Sequence, residues 1–320
     1  MKKIVRVIAV LAALLPALAS AQGSYPTKPV IVVVSTVPGP LDAFARIVCQ
    51  KLQESLKQPF VVENKAGAGG NIAADYVKNA PADGYTLLFA IDTTFTVNPG
   101  LYKSHLPFNP DTDFATISVP VTYAQMLTVH PGVAAKNVGE LVALAKQKHL
   151  TYASGGNGSP SHLVAAYFAS TAGLDMTHVP YKGTGQSVVD ALAGRVDVLF
   201  AVTSGVLPYV KDNRLRALAV SSAKRSPLAP DVPTIAESGY PGFDVSFAYA
   251  LMAPAGTPPE IVKMLNREVQ KALAAPDVVE KDQKWDYAVT GFDPAQSAQW
   301  LRDMRGKWNK VIDQQHITIE

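Results

Sequence analysis

Phe60-Val61-Val62-Glu63-Asn64-Lys65-Ala66-Gly67-Ala68-Gly69-Gly70-Asn71 is the stretch whose reading decides the fold. Its apolar run, residues 60–62, reads as a buried strand that ends in three polar residues. Gly67, Gly69 and Gly70 then lead into residues 72–79, which read as a helix. A strand, a glycine turn and a helix start aim backbone N–H groups into one crevice. Such a crevice binds anions without a charged side chain. The same grammar recurs at residues 37–42 and 154–161.

On the N-terminal side, residues 30–34 are five apolar residues in a row after Pro29. That suits a parallel strand covered on both faces. Asp42 reads as the N-cap of a helix over 43–56, whose Phe44, Ile47, Val48 and Leu52 share a face. On the other side, residues 86–90 form a third strand that runs into Asp92-Thr93-Thr94. This β-α-β-α-β order predicts an open α/β sheet with ligands at the carboxyl ends of its strands.

Residues 98–113, rich in Pro, Asn and Asp, read as irregular. The alternation then resumes, with strands at 126–129, 151–153, 196–202 and 215–221. Helices are predicted near 138–148, 162–172, 186–193 and 207–210. Residues 227–241 carry four prolines and read as a connector. The apolar run 247–252 reads as a return to the first strands. Thr257 reads as the cap, and Pro258 as the first turn, of a helix over 260–273. A last helix, 295–311, has Trp300, Leu301, Met304 and Trp308 at core spacing.

The first 21 residues read as a leader: Lys2, Lys3 and Arg6, an apolar stretch at 7–15, then Ala19-Ser20-Ala21 before a cut at Gln22. The whole chain has 29 Lys+Arg against 26 Asp+Glu, and the leader takes three of the bases and no acid. The mature chain is therefore formally neutral, which gives no global basis for binding nucleic acid or a polybasic membrane surface. Roughly 300 mature residues predict two lobes. The single cysteine, Cys49, excludes an internal disulfide and falls on an apolar helix face, where it reads as a core residue.

Classical chemistry is sparse. The six histidines show no close pairing in sequence, so no metal site is expected. Ser159 precedes His162 by three residues, but there is no nucleophile elbow around it. Gly67, Gly69 and Gly70 match neither a P-loop nor a dinucleotide fingerprint, so no cofactor is expected. What remains is polar and uncharged: hydroxyls and N–H groups at 36–42, 66–71, 91–94, 154–161 and 203–204, all after apolar strands. Any one of these loops is also ordinary turn chemistry. Together they suit a cleft that holds a small anion by hydrogen bonds.

The chain also resembles a known family over nearly its whole mature length. The carriers are Tyr25-Pro26-x-Lys28-Pro29, residues 61–70, Asp83-Gly84-Tyr85-Thr86-Leu87-Leu88 and His178-Val179-Pro180-Tyr181-Lys182-Gly183. Pro230-x-Val232-Pro233-Thr234-x-x-Glu237-x-Gly239 and Ala253-Pro254-Ala255-Gly256-Thr257-Pro258 complete them. It resembles the Bug, or TctC-like, extracytoplasmic solute receptors of tripartite tricarboxylate transporters.

That resemblance implies an α/β, two-lobed periplasmic binding protein fold with a ligand cleft between lobes. Residues 22–123 and 247–320 would form lobe 1, and 124–246 lobe 2. A periplasmic monomer would capture a small organic carboxylate and deliver it to membrane permease subunits. The ligand residues it implies on the first side are Thr36, Val37, Gly39, Leu41, Asp42, Asp92 and Thr93, to which the glycine crevice adds Gly69. On the second side they are Ser154, Gly155, Asn157, Gly158, Ser159, His162, Thr203 and Ser204.

Two departures bear on the ligand. Pro38 stands where the family's first loop usually has Gly, which removes an N–H donor. Ala201 stands where many relatives carry an acid able to pair with an ammonium, so a carboxylate without an amine is expected. Lys182 is expected to face solvent. Two alternatives stay open: a secreted hydrolase using Ser159, His162 and an acid, and a ligand sensor for a two-component kinase.

Overall fold

The computed structural model describes residues 25–315 and 317–318; the expected leader and its cleavage site lie outside them. Val30–Val34 is β1, Phe60–Asn64 β2 and Thr86–Ile91 β3. β1 pairs in parallel with both, setting Val34 opposite Asn64 on one side and Phe89 on the other. Level strand ends place the three following loops along one rim of the sheet. β1 is buried except at Ile31, as a β-branched run between helices requires. β2 is instead the edge strand, with Val61 43 % exposed, so its apolar run is covered on one face only.

The connecting helices are α1 (Pro40–Leu56), α2 (Asn71–Lys78), α3 (Thr93–Thr96) and α4 (Asn98–Tyr102). α4 occupies the start of the stretch that composition predicts to be irregular. β4 (Phe114–Ser118) and the long β5 (Val121–Val129) follow. Neither β4 nor the first half of β5 is legible in the sequence.

Next come α5 (Val138–Ala145), β6 (Leu150–Ser154), α6 (Pro160–Thr171), β7 (Met176–Pro180) and α7 (Thr184–Leu192). β8 (Val198–Val202), α8 (Thr203–Lys211) and β9 (Arg216–Val220) complete this part. β10 (Ser246–Pro254), α9 (Pro259–Leu273), α10 (Pro276–Trp285), β11 (Ala288–Val289) and α11 (Pro294–Gln315) close the chain. Thr257 does not cap α9. Its hydroxyl donates to the Pro254 carbonyl at 2.8 Å, and Pro258 takes the cap position.

The strand order is β2-β1-β3-β10-β5-β8-β6-β7, with β4 against β10 and β9 and β11 against β5. Strands β1–β3 are parallel to one another, and so are β6–β8. β10 and β5 join the two groups. β10 pairs with β3 through Tyr249–Met252 and with β5 through Ser246–Ala248. β5 meets β10 through Thr122–Ala124 and β8 through Gln125–Val129. An aromatic cluster packs at this crossing: Phe44 lies 5.4 Å from Tyr249 and 5.6 Å from Tyr287, and Tyr123 lies 5.1 Å from Tyr249. Cys49 is a buried core residue of α1, and burial pushes its thiol up to about 12.

Candidate functional site

The loop after β1 is braced from behind. Asn64, at the end of β2, donates to the Thr36 carbonyl and to Asp42 Oδ1, both at 2.9 Å. Arg46 grips the same carboxylate at 2.9 and 3.0 Å and holds it below the usual range. Asp42 is therefore inside the first turn of α1 as an i,i+4 ion-pair partner, not its cap. Gly39 takes the cap position, without a side-chain cap. Leu41 is buried in the core, whereas Val37 and Gly39 are exposed.

After β2 the glycines act through their backbone shape. Gly69 and Gly70 have φ of 64° and 96°, in the left-handed region. Their loop is held by its carbonyl more than by its N–H groups. Thr94 Oγ1 donates to the Gly69 carbonyl at 3.1 Å and Asn98 Nδ2 at 3.0 Å. The Gly70 N–H is spent on the Gly67 carbonyl at 3.0 Å. A Cβ on Gly70 would sit 2.4 Å from Thr94 Oγ1 and 3.3 Å from Ser35 Cβ. Gly70→Ala should therefore lower stability by about 2 kcal/mol, read as the urea midpoint at constant m. An unchanged midpoint would mean that Thr94 turns aside without cost.

After β3 the predicted ligand residues turn inward. Asp92 is 0 % exposed and Thr93 4 %. Asp92 Oδ1 accepts from the Ala248 N–H on β10 at 2.9 Å, and Oδ2 accepts from Thr96 at 3.3 Å. Burial pushes this carboxyl up to about 7. It is a buried anchor between β3 and β10 and has no free oxygen to offer a solute.

The second group contributes a denser arrangement. Ser159 caps α6, its hydroxyl accepting the His162 N–H at 3.4 Å and lying 3.2 Å from Ser161 Oγ. His162 turns its ring back to the loop, where Nδ1 accepts the Gly158 N–H at 3.1 Å. Serine and imidazole thus meet through the backbone N–H, not the ring, which is not the hydrogen bond a nucleophile needs from its base. Ser154 is fully buried. Its Oγ accepts the Gly156 N–H at 3.1 Å and lies 2.6 Å from His178 Nε2. The rings of His162 and His178 stack at 4.0 Å and 8°.

The parallel register sets Tyr152 opposite His178, which is how histidines distant in sequence become neighbours. Sequence reasoning missed this pair because register is not visible in spacing. Thr203 is also fully buried, Ser204 is half-buried at the start of α8, and Lys182 is exposed. Across the two groups, a Cβ on Gly158 would lie 3.2 Å from Leu101 Cδ1. Among the described residues, no group of three or more His, Cys, Asp or Glu is placed to hold a metal.

Comparison with known proteins bears on the family and the fold. The sequence profile of TctC, the tripartite tricarboxylate transporter family receptor, matches residues 44–317. Protein BugT of Bordetella pertussis is 35 % identical over 293 residues, 90 % of this chain and 90 % of that protein. Rpa4515 of R. palustris, solved with adipate, is 32 % identical with a TM-score of 0.85, covering 92 % of this chain and 99 % of its own. MatC (Rpa3494) from Rhodopseudomonas palustris, with bound malate, is 30 % identical with a TM-score of 0.82, covering 90 % and 100 %. The fold is the α/β, two-lobed periplasmic binding protein fold with a cleft between lobes.

Proposed function

This chain belongs to the tripartite tricarboxylate transporter receptor family, and on that premise we propose that it captures a small organic carboxylate in the periplasm and delivers it to the membrane permease of such a transporter. Residues 22–123 and 247–320 act as one lobe, and 124–246 as the other. β5 and β10 are the hinge about which solute contacts bias closure. The protein works as an exported monomer. No helix among the described residues is long and apolar enough to cross a membrane.

One observation carries the reading. The Ser-Gly-rich loop after β6 reaches α4 of the first half of the chain, Gly158 lying against Leu101, while the loop after β1 is exposed at an uncapped helix start. The contacting surface is drawn from Thr36, Val37, Gly39, Gly155, His162 and Ser204. The two acids of the predicted site, Asp42 and Asp92, are tied to Arg46 and to Ala248, and Ala201 is buried in β8. No carboxylate of these loops is left to pair with an ammonium, which favours solutes without an amine.

A thermal-shift screen of the mature chain against mono-, di- and tricarboxylates and amino acids tests this. A ligand at about 100 times its dissociation constant adds roughly 2.7 kcal/mol, a rise of several degrees. A rise with an amino acid and none with a carboxylate would overturn the ligand class.

A further inference from the structure

The loop after β6 has already spent most of its backbone donors. The Gly155 N–H goes to Ser161 Oγ at 3.0 Å, Gly156 to Ser154 Oγ at 3.1 Å, Gly158 to His162 Nδ1 at 3.1 Å and Ser159 to the Gly156 carbonyl at 3.1 Å. A glycine-rich loop at a helix start therefore does not work here as a cradle of free N–H groups. A carboxylate arriving at it has to be met by other donors.

The rings beneath the loop supply them in the tautomers that their nearest hydrogen bonds favour. His162 Nδ1 accepts an N–H, so in the neutral ring the proton sits on Nε2. For His178, Ser154 Oγ accepts from the Gly156 N–H and has one proton to place, with His178 Nε2 at 2.6 Å and the Gly156 carbonyl at 3.2 Å as its two acceptors, and the proton is assigned to the nearer contact. Nε2 of His178 is then the acceptor, and its proton sits on Nδ1. Neither His162 Nε2 nor His178 Nδ1 has a partner among the described residues, and neither is sealed from solvent.

We propose that the stacked pair His162–His178, not the loop backbone, is the solute-facing donor set of this lobe, His162 offering Nε2–H and His178 Nδ1–H to a carboxylate. The proposal rests on the receptor reading above and names how that site meets its anion. Two neutral N–H donors hold a carboxylate without adding charge to a half-buried surface. The pair stays neutral because burial lowers both rings, His162 to about 3, with repulsion from His178 as a further cause, and His178 to about 4. Tyr152 on β6 stacks on both rings, and no charged side chain of α6, β6 or β7 shifts either histidine.

Long-range ¹H–¹⁵N spectra of the mature protein labelled with ¹⁵N-histidine test the assignment directly, with His162→Gln and His178→Gln to identify the signals. Neutral rings down to pH 5, His162 as Nε2–H and His178 as Nδ1–H, are expected without any ligand. The opposite tautomer for either ring, or a ring protonated at pH 6, overturns the proposal. Adipate and malate are then titrated in. The His162 Nε2–H and His178 Nδ1–H signals should move while His162 Nδ1 holds still.

His162→Phe should weaken binding roughly 10- to 100-fold, the effect of losing one hydrogen bond to a charged group. His162→Gln, whose amide can reach the same point, should recover part of it. Wild-type binding with unmoved ring signals would overturn the donor role and leave the receptor reading intact. Fixed tautomers with no carboxylate binding at all would instead bring down the ligand class, and the donor role with it.

Discussion

Trp308→Ala is expected to cost about 3–5 kcal/mol of folding stability. Trp308 is 0 % exposed and lies in α11, the last helix of the chain. Its indole stacks on Phe247 of β10 at 5.6 Å and 14°. Phe247 pairs with Tyr123 of β5, so this ring presses on the point where the two joining strands cross. Truncation leaves a cavity there that a sheet bonded on both sides cannot close. Trp308 Nε1 is buried without a partner, so Trp308→Phe removes an unsatisfied donor while keeping most of the apolar body. The phenylalanine variant should cost about 1–2 kcal/mol, well under half the loss for alanine. Equal losses for the two in urea unfolding would show that the stacked ring is not what holds α11 on the sheet.

The second large effect depends on pH. The Asp92 carboxyl is pushed up to about 7 by burial, against an ordinary value of 3.8. Between those values the folded chain keeps a proton that the unfolded chain has lost. The stabilisation is complete below the ordinary value and disappears as pH rises to about 7. The gap corresponds to about 4 kcal/mol. Asp92→Asn cannot ionise, so its stability relative to the parent should improve by about that amount from pH 4 to pH 8.

Measuring the difference between variant and parent removes the opposing contribution of His162 and His178. Their neutral form stabilises the fold fully above the ordinary histidine value of 6.5, and this is lost as pH falls toward 3 to 4. A variant-to-parent difference that stays flat across this range would mean that Asp92 is ionised throughout, its charge carried by the Ala248 N–H and Thr96.

Different parts of the chain were legible for different reasons. Residues 30–34 predict a strand covered on both faces because a β-branched run has few other uses, and β1 is that strand. The glycine stretch was located correctly, but its mode of action was not. The left-handed φ of Gly69 and Gly70 aims a carbonyl at Thr94 and Asn98, and letters do not show backbone direction. Asp42 has the composition of a cap and is an ion-pair partner of Arg46, because Pro40 starts the helix earlier. β4 carries too little alternation to be seen, being formed by its pairing with β10.

The sequence by itself determined the α/β alternation, the positions of the strand-end loops and the family resemblance. Each of these is local in the chain: an apolar run, a turn residue, a short motif at fixed spacing. Tertiary structure alone decided which polar groups remain available. Pairing and register are long-range, and they bring Ala248 to Asp92, Asn64 to Asp42 and His178 to Ser154 and His162. A polar side chain becomes buried anchor or surface donor according to the partner that the fold puts beside it, and that partner lies tens to hundreds of residues away.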